Sequence, residues 1–155
     1  MLKYIVNLFF PKVCNACHIG FVLGNWLGGE LKTLEAYKNI DAVIPVPLHK
    51  NKLKKRGYNQ VAMFGQQIAA ALNTDYLDDV LVKITNTKSQ TTKGRFTRWT
   101  NSDELFALKN METIDNKHIL IVDDIITTGA TLEACISVLN QAKNIKISIA
   151  TMAIA

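Results

Sequence analysis

The stretch Ile119-Leu-Ile-Val-Asp-Asp-Ile-Ile-Thr-Thr-Gly-Ala-Thr131 decides the fold of this 155-residue chain. It begins with an apolar run that is too hydrophobic for a surface strand and continues through Asp123 and Asp124 into a Thr/Gly turn. Runs that are apolar on both faces are typical of strands in parallel sheets, which helices cover on both sides. The stretch therefore predicts a buried strand, a turn and a helix of an α/β protein.

Other segments of the chain extend this alternation of strand and helix. Residues 41–47 form a short apolar run closed by proline, which predicts a buried strand entering a loop. Apolar residues at helical spacing predict helices over 20–37, 57–72 and 131–142, and shorter runs predict strands over 81–84 and 145–154. The expected fold is a mostly parallel, twisted sheet flanked by helices.

The first predicted helix carries apolar residues together with residues that weaken it. The apolar residues that recur at helical spacing are Phe21, Leu23, Trp26, Leu27, Leu31 and Leu34. Gly24, Gly28 and Gly29 disfavour a helix, so we expect packing partners to hold it in place.

The turn after the two aspartates has the composition of an anion-binding site. Ligands of open α/β sheets bind beyond the carboxyl ends of the strands, where this turn lies. Backbone N–H groups of residues 128–131 can point together at one anion, and Gly129 lets the backbone approach it closely. The predicted ligand is a phosphate monoester, and the predicted binding residues are Thr127, Thr128, Gly129, Ala130 and Thr131.

Two carboxylates beside a phosphate site suit a sugar phosphate. Asp123 and Asp124 can accept hydrogen bonds from vicinal ribose hydroxyls and stabilise positive charge that develops at C1 in a transition state. The chain has neither the Gly-x-x-x-x-Gly-Lys-Ser/Thr of an NTPase P-loop nor the Gly-x-Gly-x-x-Gly of a dinucleotide site. The remaining alternative is a capped helix after an acidic turn, with no ligand.

Residues 119–131 resemble the 5-phosphoribosyl-1-pyrophosphate (PRPP) motif of the type I phosphoribosyltransferases. That motif has four apolar residues, two acidic, two apolar, then Thr-Thr-Gly and a small residue or Thr, and every position matches here. The resemblance implies the type I phosphoribosyltransferase fold and PRPP as ligand, with Mg²⁺ bridging its pyrophosphate and ribose hydroxyls. It also implies that Asp123 and Asp124 are the catalytic carboxylates.

Further blocks resemble the ComF/GntX branch of that family, the competence-associated phosphoribosyltransferase-like proteins. Ile44-Pro-Val-Pro-Leu-His49 is followed by Arg56-Gly-Tyr-Asn-Gln60, in which Tyr58 replaces the phenylalanine of that branch. The branch's spacing of Gln, Arg, Asn and Phe recurs at Gln90, Arg98, Asn101 and Phe106, although Lys93 stands where an apolar residue is usual. The resemblance covers residues 41–155.

This branch implies where the pyrophosphate of PRPP binds. The implied residues lie after the first strand and in the polar, basic loop over 85–100: Val46, Pro47, Leu48, His49 and Arg56, with Lys88, Gln90 and Arg98 closing over the ligand as a flexible loop. A basic run over 50–56 supplies counter-charge, although Lys50, Lys52 and Lys54 taken singly are more typical of a solvated loop. His49 fits a loop-ordering residue and a base equally well.

The N-terminus departs from the branch, whose members open with a zinc module of two Cys-x-x-Cys pairs. Cys14 and Cys17 form one pair, the second is absent, and four-coordinate zinc needs four ligands. Either the module has been lost or a stretch is missing after Cys17. We expect a truncated zinc-module-like N-terminus over 1–18 with at most a partial zinc site, and a phosphoribosyltransferase domain over 19–155. Cys135 is expected in the core.

Composition indicates a single small domain with anionic partners. The chain has 18 Lys+Arg against 13 Asp+Glu, a net charge of +5, and 48% hydrophobic residues, which excludes an intrinsically disordered protein. Three cysteines argue against an extracellular disulfide framework, and no apolar stretch approaches the roughly 18 residues that span a bilayer. The expected location is the cytoplasm, and a homodimer is a candidate assembly.

Three functions follow from these residues. The leading one is transfer of a phosphoribosyl group from PRPP to a nitrogen acceptor, with release of pyrophosphate. The second is a non-catalytic module that binds a nucleotide or single-stranded DNA during DNA uptake, with Tyr58, Phe96 and Trp99 as stacking surfaces. The third is a regulator that binds PRPP without catalysis, since a fold alone does not determine an activity. The resemblance implies that a small N-terminal hood, here the first forty residues, recognises the acceptor, and no residue there identifies it.

Overall fold

The structure, a computed structural model, describes residues 15–48, 59–84 and 105–155. Its strands are β1 (Ala42–Pro45), β2 (Asp75–Tyr76), β3 (Leu81–Ile84), β4 (Leu105–Leu108), β5 (His118–Ile126) and β6 (Lys146–Ile154). Its α-helices are α1 (Asn15–Thr33), α2 (Gln60–Leu72) and α3 (Ala130–Leu139), with short 3₁₀ turns at Glu35–Tyr37 and Met111–Ile114.

Four strands form a parallel sheet in the order β2-β1-β5-β6. The two central strands are the apolar runs of the sequence: Val43 and Ile44 in β1 have no exposed surface, and neither do residues 119–122 in β5. Ala42 pairs with Ile119 and Pro45 with Val122, so both strands run toward the same edge of the sheet. The predicted parallel sheet is confirmed, and its centre is buried because helices cover both faces.

Alternate residues of β5 point into two separate apolar layers. Leu120 and Val122 pack with Phe64 and Ile68 of α2 on one face. On the other face, the side chains that pack with Ile119 and Ile121 come from α3, β3 and β4, namely Leu132, Cys135, Leu139, Leu81 and Phe106. Cys135 is fully buried, as predicted for a core residue.

Helix α1 packs against α2 through glycines as much as through its apolar side chains. A Cβ atom at Gly24 would lie 2.5 Å from the Phe64 carbonyl oxygen, and one at Gly28 would lie 2.6 Å from the Ala71 Cβ. The buried side is completed by Leu31, with Leu23 and Leu27 half-buried against the same layer. Two of the three glycines that weaken an isolated helix are therefore the residues that let α2 approach. Phe21, Trp26 and Leu34 are exposed, contrary to the prediction of a single apolar face.

Several element boundaries differ from those predicted. Helix α1 begins at Asn15 and ends at Thr33, and β5 continues past both aspartates to Ile126 because β6 pairs with it through Ile154. The predicted strand over 81–84 is confirmed, but it pairs antiparallel with the unpredicted β4 in a separate two-stranded sheet. The proposed division of the chain at residue 18 stays a prediction. No helix within the described ranges is long and apolar enough to cross a bilayer.

Candidate functional site

The candidate site lies at the edge of the sheet where β1 and β5 end. The backbone N–H of Val46, the first residue after β1, donates to the Val122 carbonyl oxygen at 2.8 Å. The exit of β1 is therefore held beside the residue that precedes Asp123 in β5. This is the edge at which open α/β sheets bind ligands, and both predicted binding segments reach it.

A small hollow at this edge brings together the residues that the sequence analysis predicted to bind the phosphate. It is lined by Asp123, Ile125, Ile126, Thr127, Thr128, Gly129, Ala130, Thr131 and Leu132. All five residues predicted for the phosphate are among them, together with one of the two predicted catalytic carboxylates. Asp124 lies between Asp123 and Ile125 in the chain but is not among the residues that line the hollow.

Gly129 forms the turn that starts helix α3. Its backbone has φ 79° and ψ −6°, the left-handed region, and its carbonyl oxygen accepts the first helical hydrogen bond from the Glu133 N–H at 2.9 Å. A Cβ atom at this position would meet no atom within 4 Å, so the need for glycine here comes from backbone conformation rather than from crowding. The open space above Gly129 belongs to the hollow.

The two aspartates are each oriented by the backbone of the next residue. Asp123 is only 8% exposed, and its Oδ1 accepts a hydrogen bond from the Asp124 N–H at 2.9 Å. Asp124 is half-buried, and its Oδ1 accepts from the Ile125 N–H at 2.8 Å. Both carboxylates are thus fixed to the rigid end of β5 rather than to a loop, which suits groups that must hold a ligand in one orientation.

Only part of the predicted pyrophosphate loop falls in the described ranges. Val46 is buried, and Pro47 and Leu48 are half-buried beyond β1. The other predicted ligands and stacking residues lie outside the described residues: His49, Arg56, Tyr58, Lys88, Gln90, Phe96, Arg98 and Trp99. Their roles remain predictions.

Asn59 is a residue at this site to which the sequence analysis gave no role. Its side-chain Nδ2 donates to the Val46 carbonyl oxygen at 3.2 Å, and its Oδ1 accepts from the Val61 N–H at 3.2 Å, which caps helix α2. Asparagine before an apolar helical pattern is a recognised N-cap signal, so the cap was detectable in the sequence. The bond to Val46 was not, because it depends on where β1 ends in space.

The sequence analysis predicted protein metal ligands at Cys14 and Cys17. Among residues 15–48, 59–84 and 105–155, no three His, Cys, Asp or Glu side chains come together as a metal site. Cys14 lies outside those ranges and the side chain of Cys17 is not described, so a partial zinc pair remains a prediction.

Comparisons with known proteins agree with this architecture. The profile of the phosphoribosyl transferase domain matches residues 61–154, which include β5, the turn and α3. Competence protein F of Haemophilus influenzae is 32% identical over 106 residues, which cover 66% of this chain and 45% of that protein. Competence protein ComFC of Streptococcus pneumoniae is 32% identical over 121 residues, which cover 78% of this chain and 50% of that protein. The chain spans about half the length of the curated relatives it matches.

A similar fold occurs in a solved enzyme of low sequence identity. The adenine phosphoribosyl transferase from Trypanosoma brucei superposes with a TM-score of 0.54 at 15% identity, over 86% of this chain and 51% of that one. At this identity the likeness concerns the fold, which is the type I arrangement that the sequence predicted.

Proposed function

Because the chain belongs to the phosphoribosyl transferase family, in its ComF-type branch, we propose that the hollow at the end of β5 binds the phosphoribosyl part of PRPP. We propose further that the bound group is transferred to a nitrogen acceptor. The observation that carries the proposal is the placement of Asp123 in one hollow with the Thr/Gly turn of α3. A carboxylate next to an anion cradle suits a ligand that carries hydroxyls and a phosphate on one sugar.

The 5-phosphate is assigned to residues 127–131. The first N–H groups of an α-helix have no intrahelical acceptors, and the helix dipole favours an anion at this end. Thr127 and Thr128 are exposed at the hollow and add hydroxyl donors. The positive φ of Gly129 turns the chain so that these groups surround one space.

The ribose is assigned to Asp123 and Asp124. In the proposed reaction the acceptor nitrogen forms a bond to C1 with inversion, the bond from C1 to pyrophosphate breaks, and the nitrogen loses a proton. Positive charge that builds up at C1 lies near two fixed carboxylates, whose orientation needs no rearrangement during the step. The basic segments predicted after β1 and over 85–100 would neutralise the leaving pyrophosphate and exclude water.

Mg²⁺ fits this set of groups as a companion of the ligand. Mg²⁺ is usually held by one or two carboxylates together with substrate phosphates rather than by an all-protein cage. Asp123 and Asp124 offer the carboxylates, and PRPP offers the remaining oxygens. When bound, the ion would offset the negative charge of the pyrophosphate.

A second candidate is a role in DNA uptake, which the names of the two competence proteins support. For this chain it would rest on the basic residues of 50–56 and on Tyr58, Phe96 and Trp99. A steep loss of single-stranded DNA affinity with added salt, at unchanged PRPP binding, would favour this role.

The first experiment is calorimetric titration of the full chain with PRPP and Mg²⁺, followed by a nucleobase panel assayed for released pyrophosphate. Saturable PRPP binding with release in the presence of one base establishes transfer and identifies the acceptor. Binding without release for any acceptor would contradict transfer and favour a regulator. No PRPP binding would contradict the assignment of the hollow.

Asp123→Asn and Asp124→Asn test the ribose assignment. We expect each to weaken PRPP binding about tenfold, because each replaces a charged acceptor of ribose hydroxyls by a neutral amide. Glu133→Gln is the matched control, since it removes the same charge from an exposed position in the first turn of α3. An equal effect in the control would show that general electrostatics, rather than these carboxylates, determines the affinity.

A further inference from the structure

We propose that the free edge of β6 binds a second copy of this chain, with the two β6 strands antiparallel across a two-fold axis. Strand β6 is the last strand of the parallel sheet and pairs with β5 on one side, from Lys146 to Ile154. Within the described residues no strand lies on its other side. Such an edge presents a row of unpaired N–H and C=O groups to which another strand can pair. This contact is independent of the ligand that the hollow binds.

The two edges of the parallel sheet differ in their protection against pairing. The opposite edge is β2, which has only two residues, and its Asp75 is exposed. Short strands and charged side chains are common means by which proteins prevent pairing at an edge. Strand β6 has nine residues, no proline and no glycine, and its one charged residue is Lys146 at the first position. The remaining eight residues carry no such protection, so this edge is suited to pairing.

The backbone of β6 directs defined groups to its free edge. The Lys146 N–H donates to the Lys117 carbonyl oxygen at 3.0 Å and therefore points toward β5. Because backbone N–H groups alternate in direction along a strand, those of Ile147 and Ile149 point away from β5. Ile149 is also 40% exposed. Backbone donors and an apolar side chain of this edge are thus open to a partner.

The order of side chains in β6 fits an antiparallel copy of the same strand. Full overlap of the two strands places Ala150 opposite Ala150 of the second copy. Ile147 then lies opposite Ala153, and Ile149 opposite Thr151, with the same pairs repeated on the other side of the axis. Larger side chains therefore meet smaller ones, and cross-strand pairs of this kind stabilise a sheet. A two-fold contact requires a surface that is complementary to itself, and β6 meets this requirement.

Charge favours the antiparallel orientation over a parallel one. Lys146 is exposed at the amino end of β6, whereas Asp123 and Asp124 lie toward the carboxyl end of the neighbouring β5. Antiparallel pairing brings Lys146 of one copy to the strand end that carries the two aspartates in the other copy. Parallel pairing would instead place the two Lys146 side chains next to each other, where like charges repel. The charges of the described strands thus complement a second copy in the antiparallel orientation.

The association is tested by sedimentation of the full chain over about a hundredfold range of concentration. We expect a reversible equilibrium between monomer and dimer in the wild type. Ile149→Lys should raise the dissociation constant of the dimer at least about tenfold, because a charge at a strand edge opposes pairing. Ile19→Lys is the matched control: it makes the same change at a 52% exposed isoleucine of α1 and should leave the constant unchanged. A wild type that stays monomeric throughout, or equal effects of the two substitutions, would overturn the proposal.

Hydrogen exchange in the wild type locates the contact without any substitution. The N–H groups of Ile147 and Ile149 should exchange more slowly as the concentration of the chain rises, because only the dimer gives them acceptors. A dimer in which exchange at both positions does not depend on concentration would place the contact elsewhere and contradict the pairing of β6. Slow exchange at every concentration in a monomeric chain would mean that another segment of the same chain covers this edge, which contradicts it as well.

Discussion

At the scale of single residues, the candidate site depends on backbone conformation as much as on side-chain chemistry. Gly129 is the one glycine of the described ranges with a positive φ, and it lies between the strand that carries the aspartates and the helix that starts the cradle. The sequence predicted this glycine for close approach to a ligand. Its φ of 79° is a second reason for glycine at this position, since residues that carry a Cβ atom rarely adopt this backbone conformation.

Gly129→Val should lower the free energy of unfolding by about 1–2 kcal/mol, because a β-branched residue is strained at positive φ. Gly129→Asn should cost less, since asparagine tolerates this region, as four asparagines within the described residues do at φ values from 49° to 59°. Urea unfolding of both variants gives the comparison. Equal losses of stability in the two variants would contradict backbone strain as the cause, because asparagine tolerates this conformation better than valine does.

At the scale of elements, the α1–α2 pair shows what a hydrophobic pattern omits. The pattern registers side chains, whereas this contact depends on the absence of side chains at Gly24 and Gly28. Trp26 was predicted in the apolar face and is 63% exposed, because the buried side of α1 is centred on the glycines and on Leu31. Helical spacing located the helix but assigned part of its apolar surface to the wrong side.

Gly24→Ala and Gly29→Ala form a matched pair within α1. At Gly24 an added methyl group would lie 2.5 Å from the Phe64 carbonyl oxygen, so we expect a loss of about 1–3 kcal/mol in the free energy of unfolding. At Gly29 nothing lies within 4 Å, so the higher helix propensity of alanine should add about 0.5–1 kcal/mol. Thermal or urea unfolding measures both.

Effects of the same sign in these two variants would contradict the close approach of α2 at Gly24. The pair also separates packing from propensity, because both substitutions make the same chemical change in one helix.

At the scale of the whole molecule, the two ends of the parallel strands carry different groups. The carboxyl edge carries Asp123 and the hollow, whereas His118 begins β5 at the opposite edge. His118 is 7% exposed, and its Nε2 lies 2.9 Å from the Ser148 Oγ. Burial, and secondarily the charge of Lys146, lower the pKa of His118 below 6.5. A hydrogen bond to the backbone of Asn39 and the negative charge of Asp41 each oppose this shift.

This lowered pKa predicts the pH dependence of stability. Between pH 6.5 and the lowered pKa, His118 is largely protonated in the unfolded chain and largely neutral in the folded chain. The free energy of unfolding should therefore fall as the pH is lowered through this window. His118→Gln should remove much of that dependence between about pH 7.5 and about pH 5.5. His18→Gln is the control, because His18 is exposed.

Urea unfolding at several pH values measures the slope for each variant. Ligand titration at fixed pH should give the same PRPP affinity for His118→Gln as for wild type, because the substitution lies at the other edge of the sheet. An unchanged pH slope in His118→Gln would contradict the buried, neutral state of this histidine.

The sequence alone determined the type of fold and the order of the residues at its candidate site. Apolar runs over 41–47 and 119–122 indicate buried parallel strands, because short runs that are apolar on both faces are typical of strands that helices cover on both sides. Asp123, Asp124 and the Thr/Gly turn are contiguous in the chain, so local order already indicates a strand end followed by a helix start, with the groups that each presents.

Tertiary structure decided what residues distant in sequence do together. Asn59 meets Val46 only because β1 pairs with β5 and α2 packs over both, and no local pattern encodes that meeting. Gly24 and Gly28 of α1 become a packing surface only when α2 lies against them. Strand β3 pairs with β4, which follows it only after a long intervening segment of the chain. Local preference is set by neighbours along the chain, whereas packing and loop closure depend on distances that only the folded chain defines.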